Sequence, residues 1–467
     1  MPHHGSSTTS NTGASRTEQD SMGSVQVPLD ALWGAQTERA RQNFQLSGQR
    51  FPVLFIDSLA QLKAAAAEAN LACQVLDSSR AAAIIAAVEQ LTGGSDLMTH
   101  FPLDILQTGS GTSTNMNMNE VLAQLASQTA QLSVHANDHV NASQSSNDVI
   151  PSTILISSAR ALQHQLVPAL QHIQQVLTDK AQQLTAVVKT GRTHLMDAMP
   201  LTMAQELDCW RAQLAEVGQA LAEQLPRLYQ LPQGGTAIGT GVNAPTNFSQ
   251  QFCNALSERL QMPFQPATNR FAGIAGQQTN HLVAGSLSAL AASLLKIAND
   301  LRWMNSGPLA GLAEIELPAL QPGSSIMPGK VNPVIAEAVA MLCIQVQGNC
   351  HSVAMAAQQG NFQLNVMLPL IGYLQLQSIE LLANGCYALA DQAIAGFTVK
   401  HDTIAANVAR NPILVTALNA KIGYDKAAQI AKTAYQQQRP IAVVAAEMTD
   451  LTEAELAQLL DPKRLTE

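Results

Sequence analysis

Five stretches of this chain repeat apolar residues at helical spacing over many turns, at 151–188, 201–225, 277–304, 333–358 and 366–395. Each exceeds the average globular helix of about eleven or twelve residues. Helices of that length cannot hide inside a small domain, and the economical solution is an elongated antiparallel bundle. Pro151 and Pro333 stand where proline suits a first helical turn, and Ser146, Asn147 and Asp148 offer an N-cap before the first stretch. Several stretches, notably 277–304, show apolar or small residues on more than one face. That predicts burial on several sides, hence an oligomer whose bundles pack together.

The composition fits helix-on-helix packing, with 46% apolar residues but only 4% aromatic ones. Shorter helical patterns at 60–76, 81–91 and 115–132 precede the long ones. After His401 the helices become small, and Thr452 stands three residues before Glu455 as in a capping box. The expected division is a poorly ordered tail over 1–21, a mostly helical domain over 22–143, a central five-helix bundle over 144–400 and a small helical domain over 401–467. The net charge of −9, with no basic run, argues against a nucleic-acid partner. No apolar run reads as long and clean enough to span a bilayer, so no membrane partner is expected and the predicted location is the cytoplasm. The six cysteines form no CxxC and read as buried, reduced thiols.

Polar residues are gathered into five islands between the helices. The first, TGSGTSTNMNMNE at 108–120, places glycines and hydroxyls at a helix start, where unpartnered N–H groups suit a carboxylate or simply a cap. Asn115 and Asn119 share a face of that helix. The second, at 135–148, ends in Ser145, Ser146 and Asn147 before a long helix, again an anion-binding arrangement. Its His135, Asp138 and His139 resemble metal donors, but no second cluster supplies the remaining ligands. The third, GRTHLMDAMP at 191–200, holds a histidine that reads equally as structural or catalytic. The fourth, GGTAIGTGVN at 234–243, contains a GxG without the third glycine or a βαβ setting, and reads as a tight backbone turn. The fifth, GSSIMPGKVNPVIAE at 323–337, has two serines, a lysine and an amide on a loop with few apolar anchors, able to open and close over a ligand.

The fifth island carries the whole GSSxMPxKxNP signature, and the chain resembles the fumarase/aspartase superfamily over nearly all its length after Ser21. The other four islands match in the same order. Aspartases typically read TGAGT, QSTND and GRTQ, whereas this chain reads TGSGT, QSSND and GRTH, so the likeness is to class II fumarases. The resemblance implies an all-α, three-domain fold with a central bundle of five long helices. It implies a homotetramer with active sites shared between three chains, a small dicarboxylate substrate, and neither cofactor nor metal. The implied reaction is reversible hydration of fumarate to L-malate through an aci-carboxylate intermediate. Ser324 matches the general base, and His194 with Glu337 the proton-handling pair. Ser110, Gly111, Thr112, Ser145, Ser146, Asn147, Thr193, Ser325, Lys330, Val331 and Asn332 match substrate-binding positions. His135, Ala136, Asn137 and Asp138 match a second anion site, where the family usually carries proline and aspartate in place of Ala136 and His139. The alternatives are an aspartate ammonia-lyase and a non-catalytic protein on the same fold.

Overall fold

The computed structural model describes residues 14–466. Each of the five long patterns is a helix or a near-continuous pair. Ser146–Ala161 passes through a wide π turn at Leu162–Leu166 into Val167–Gln183. Pro168 lacks an N–H and crowds the carbonyl four residues back, which accounts for the widening just before it. The others are Met203–Ala222, Gln278–Met304, Val334–Ala357, and Leu368–Leu389 with a π turn at Ala390–Ile394. Among the described residues, strands occur as five two-stranded ladders.

The chain divides into two compact units. The first comprises residues 14–165, 221–287 and 348–380. Its centre is helix Val53–Ala72, packed against Ser78–Gly93, Ser146–Ala161 and Phe248–Leu260. A run of small side chains, Ala64 to Ala67, lies buried on this helix and lets its neighbours approach closely. The second unit comprises residues 166–220, 288–347 and 381–466. In it a hairpin, Val188–Thr193 paired with Met196–Thr202, rests on helix His401–Arg410. The small helices Tyr424–Gln437, Ile441–Met448 and Glu453–Leu459 follow, and Thr452 with Glu455 forms the capping box expected of it.

Two expectations change. Residues 14–21 do not behave as an unordered tail: Ser15–Asp20 pairs with Gly23–Pro28 in an antiparallel hairpin, while residues 1–13 fall outside those described. Arg16 fixes this hairpin by donating to the carbonyls of Pro28, Ala31 and Trp33, and Arg39 grips Asp20 through two nitrogens. Helix Gln278–Met304 is also long and apolar enough, by length and composition, to cross a bilayer, contrary to the reading of the sequence. Its apolar content serves a core face instead, with Val283, Leu287, Leu290, Leu294, Ile297 and Leu301 all buried. Four of the six free cysteines are buried, Cys73 is half-buried and Cys209 is exposed.

Some helix faces remain uncovered within the chain. On Val334–Ala357, Met341 is 66% exposed and Ile344 62%, opposite the buried Val339, Cys343 and Val346. Trp303, near the end of Gln278–Met304, is 52% exposed.

Candidate active site

The first unit holds three of the polar islands, and hydrogen bonds join them. Gly111 caps helix Thr112–Ala130 with a left-handed backbone, φ 71°, and a Cβ there would press on Ile150. Ser110 and Thr112 meet hydroxyl to hydroxyl at 2.8 Å beside this helix start. Ser145 caps helix Ser146–Ala161 in a full capping box, accepting from the Asn147 amide while Asp148 accepts from the Ser145 amide. Asn147 Nδ2 donates to the Ala237 carbonyl at 2.8 Å. The other Asp148 oxygen accepts from the amides of Gly234 and Thr236, at 2.9 and 2.8 Å. The glycine-rich fourth island is thus a backbone turn bound to the helix start, as read from the sequence, with Gly234, Gly239 and Gly241 all at positive φ.

Beneath these helix starts lies a buried polar cluster. Lys63 and Asp148 both have zero exposure. Lys63 Nζ donates to Asn141 Oδ1 at 3.1 Å and to Gln144 Oε1 at 3.0 Å. Asn141 Oδ1 also receives Nδ2 of Asn115 and of Asn119, at 3.2 and 3.1 Å. Asn115 Nδ2 continues to Ser146 Oγ at 2.9 Å. Burial pushes the Lys63 amine down to about 7, opposed by the charge of Asp148. Burial pushes Asp148 up to about 6, opposed by its three amide donors and Lys63. Sequence reasoning missed Lys63. The available signal was a lone lysine among Leu59, Leu62, Ala66 and Ala67, all on the inward face of one helix.

His135, Ala136 and Asn137 border a cavity of about 430 Å³ in the same unit, together with Arg16, Trp33 and Glu120, and Asp138 is not among its lining residues. Glu120 is engaged there by the amides of Gly34, Gln36 and Thr37. His135 pairs with Asp138 at 3.1 Å. The His135 amide donates to His139 Nδ1 at 2.8 Å.

The second unit holds the remaining residues. The loop at 323–332 closes on itself: the Gly323 amide donates to the Lys330 carbonyl, and Asn332 Nδ2 donates back to the Gly323 carbonyl at 2.8 Å. Lys330 Nζ reaches Asn332 Oδ1 at 2.7 Å. Ser324 Oγ accepts from the amides of Ile326 and Met327, at 3.3 and 3.1 Å, which favours negative charge on that oxygen. Ser325, Ile326, Lys330 and Val331 are exposed, with Ile326 at 83%.

Thr193 and His194 sit at the tip of the hairpin. His194 and Leu195 have φ of 55° and 61°, the two positive values of a type I′ connection without its customary glycine. Both side chains are exposed, as is Met196. Ion pairs tie the first strand of the hairpin at both ends: Lys189 and Arg192 both bind Glu314, at 2.8 and 2.7 Å, and Lys189 also binds Glu206. Arg192 is therefore committed to structure. Glu337 lies in the first turn of Val334–Ala357, and among the described residues no hydrogen bond joins it to His194.

Comparison with known proteins places this architecture. The lyase family profile matches residues 23–348, and that of the fumarase C C-terminus matches 414–467. A class II fumarate hydratase of Pseudomonas aeruginosa is 56% identical over 451 residues, covering 97% of this chain and 98% of its own. The chain belongs to the class II fumarate hydratases. Another fumarate hydratase of this class, from Xylella fastidiosa, is 54% identical over 98% of the chain and 97% of its own length. The crystal structure of the class II fumarase of Schistosoma mansoni superposes with a TM-score of 0.94 at 36% identity, covering 97% of this chain and 99% of that one. The all-α fumarase fold expected from the motifs is thereby established. As a member of the class II fumarate hydratases the chain is a hydro-lyase.

Proposed function

We propose that the chain catalyses the reversible hydration of fumarate to L-malate. Relatives of that activity span nearly its whole length. The observation that carries the mechanism is Ser324 Oγ accepting two amide protons in a loop with exposed apolar tips. In the malate-to-fumarate direction, Ser324 as alkoxide takes the proton from the carbon beside a carboxylate. The electron pair moves into that carboxylate, giving an aci-carboxylate, and the hydroxyl then leaves as water after gaining a proton. Charge develops on the carboxylate oxygens, so donors aimed at them lower the barrier more than they tighten substrate binding.

Ser110, Gly111, Thr112, Ser145, Ser146 and Asn147 supply such donors at two helix starts, while Thr193, Ser325, Lys330, Val331 and Asn332 complete the dicarboxylate contacts. His194, oriented by Glu337, handles protons. The same reading includes a homotetramer whose sites draw on three chains. The exposed apolar faces at Trp303, Met341 and Ile344 support such an assembly. His135, Ala136, Asn137 and Asp138 form the second anion site. The three-domain division at 22–143, 144–400 and 401–467 and a cytoplasmic location belong to the same reading.

The test follows the fumarate double-bond absorbance of the purified protein with L-malate and then with L-aspartate. Absorbance gained from malate alone is expected. Product from aspartate alone would make the chain an ammonia-lyase, and silence with both would leave a non-catalytic protein on this fold.

A further inference from the structure

Ser146 has a hydroxyl whose direction is decided elsewhere in the molecule. Its Oγ accepts from Asn115 Nδ2 at 2.9 Å, and it is 9% exposed at the start of helix Ser146–Ala161. An amide side chain has one end that donates and one that accepts, so which end faces Ser146 matters. The neighbours settle it. Lys63 donates to the oxygens of Asn141 and Gln144. Both orientations have independent anchors: Asn141 Nδ2 donates to the Gln144 carbonyl, and Gln144 Nε2 to the carbonyls of Val140 and Ala142. Asn141 therefore presents oxygen to Asn115, and Asn115 must answer with nitrogen. The second proton of that nitrogen points at Ser146 Oγ. A hydroxyl that already accepts there keeps its own proton for another partner.

We infer that Lys63, Asn141 and Asn115 form a positioning chain that holds the Ser146 hydroxyl as a donor toward a substrate carboxylate. This rests on the proposed role of Ser146 in carboxylate binding. Lys63 and Asn115 at its two ends have zero exposure, and Asn141 between them is half-buried. Its residues touch no substrate; they bias one proton. Asn119 joins the same Asn141 oxygen and steadies it. The two helices contributing Lys63 and Asn115, Val53–Ala72 and Thr112–Ala130, thus act on the start of a third.

The test compares Asn115→Asp, Asn115→Ala and Ser146→Ala for fumarate hydration, with the two Asn115 variants also made in the Ser146→Ala background. The carboxylate introduced by N115D only accepts, so it draws the Ser146 proton inward and away from the site. Alanine merely frees the hydroxyl. A lost donor to a charged carboxylate corresponds to roughly tenfold to a hundredfold in kcat/KM. The expectation is a loss of about that size for N115D, carried mainly by kcat, against no more than about threefold for N115A. Adding N115D to S146A should cost little more than S146A alone. N115A as damaging as N115D, or an equal N115D penalty in the S146A background, overturns the positioning chain. S146A with unchanged kcat/KM instead overturns the carboxylate-binding role of Ser146 itself. Should N115D not fold, neutron diffraction from deuterium-exchanged wild-type crystals reads the same point. Deuterium on Asn115 aimed at Ser146 Oγ supports the assignment, and a Ser146 deuteron aimed at Asn115 refutes it.

Discussion

At the scale of single residues, the useful distinction is between side chains left free and side chains already committed. Ser324 makes only bonds that favour a charged oxygen, whereas Arg192, in the same GRTH motif as His194, is tied to Glu314. Replacing Ser324 by alanine should lower kcat by about two to four orders of magnitude, the range for losing a general base, with the size of the assembly unchanged. A variant with near-normal turnover would remove Ser324 from the role. Lys63 makes a different prediction. Its folded pKa is below its unfolded one, so the unfolded state holds more protons between about pH 7 and 10.5, and folding stability rises with pH there. Lys63→Met abolishes that rise and removes the donor shared by Asn141 Oδ1 and Gln144 Oε1, at a cost of about 1–3 kcal/mol. Urea unfolding of both proteins at several pH values should show the gap widening from neutral to alkaline conditions. A constant gap would mean that Lys63 keeps an ordinary pKa. The motif residues were legible in the sequence because their types are unusual between apolar helices. Lys63 was not, because a single lysine in an alanine-rich helix reads as a solvated face until its neighbours are known.

At the scale of elements, the tip of the hairpin is where local preference and observed conformation disagree. The motif named His194, but nothing in GRTHLMDAMP announces two strands, and no glycine marks the turn. A β-hairpin forms because Lys189 and Arg192 fasten its first strand to Glu314 and because helix His401–Arg410 supports it. Left-handed backbone at non-glycine residues costs of order 1–3 kcal/mol each, and persists only where the surroundings impose it. Leu195→Gly should therefore raise the thermal midpoint, with a gain of up to about 1 kcal/mol, since Leu195 is 66% exposed and loses no core contact within the chain. The same change should lower kcat/KM by loosening His194. A fall in the midpoint would indicate that the Leu195 side chain is packed against another copy. Helices were far easier to foresee. Their apolar period is long enough to survive errors at the ends, and only the π turns, set by details such as Pro168, escaped it.

At the scale of the whole molecule, the exposed Met341 and Ile344 belong to a helix whose opposite face is buried, and the sequence had already shown apolar residues on several faces of the long helices. Met341→Glu with Ile344→Glu should leave helical content intact by circular dichroism, reduce the sedimenting mass and cut activity at least about a hundredfold, because charges are costly at a packed interface. Unchanged mass would show that this face is not part of the assembly. Lys63 has one more consequence. An amine with no exposure is invisible to acylating reagents while the chain is closed. When helix Val53–Ala72 opens, that amine becomes a nucleophile with a solvent-exposed pKa. Acylation then makes it neutral and bulkier, unable to return between Asn141 and Gln144. A brief opening would become a permanent exit from the native population, and the fraction of Lys63 labelled over time would serve as a clock for how often the protein comes apart.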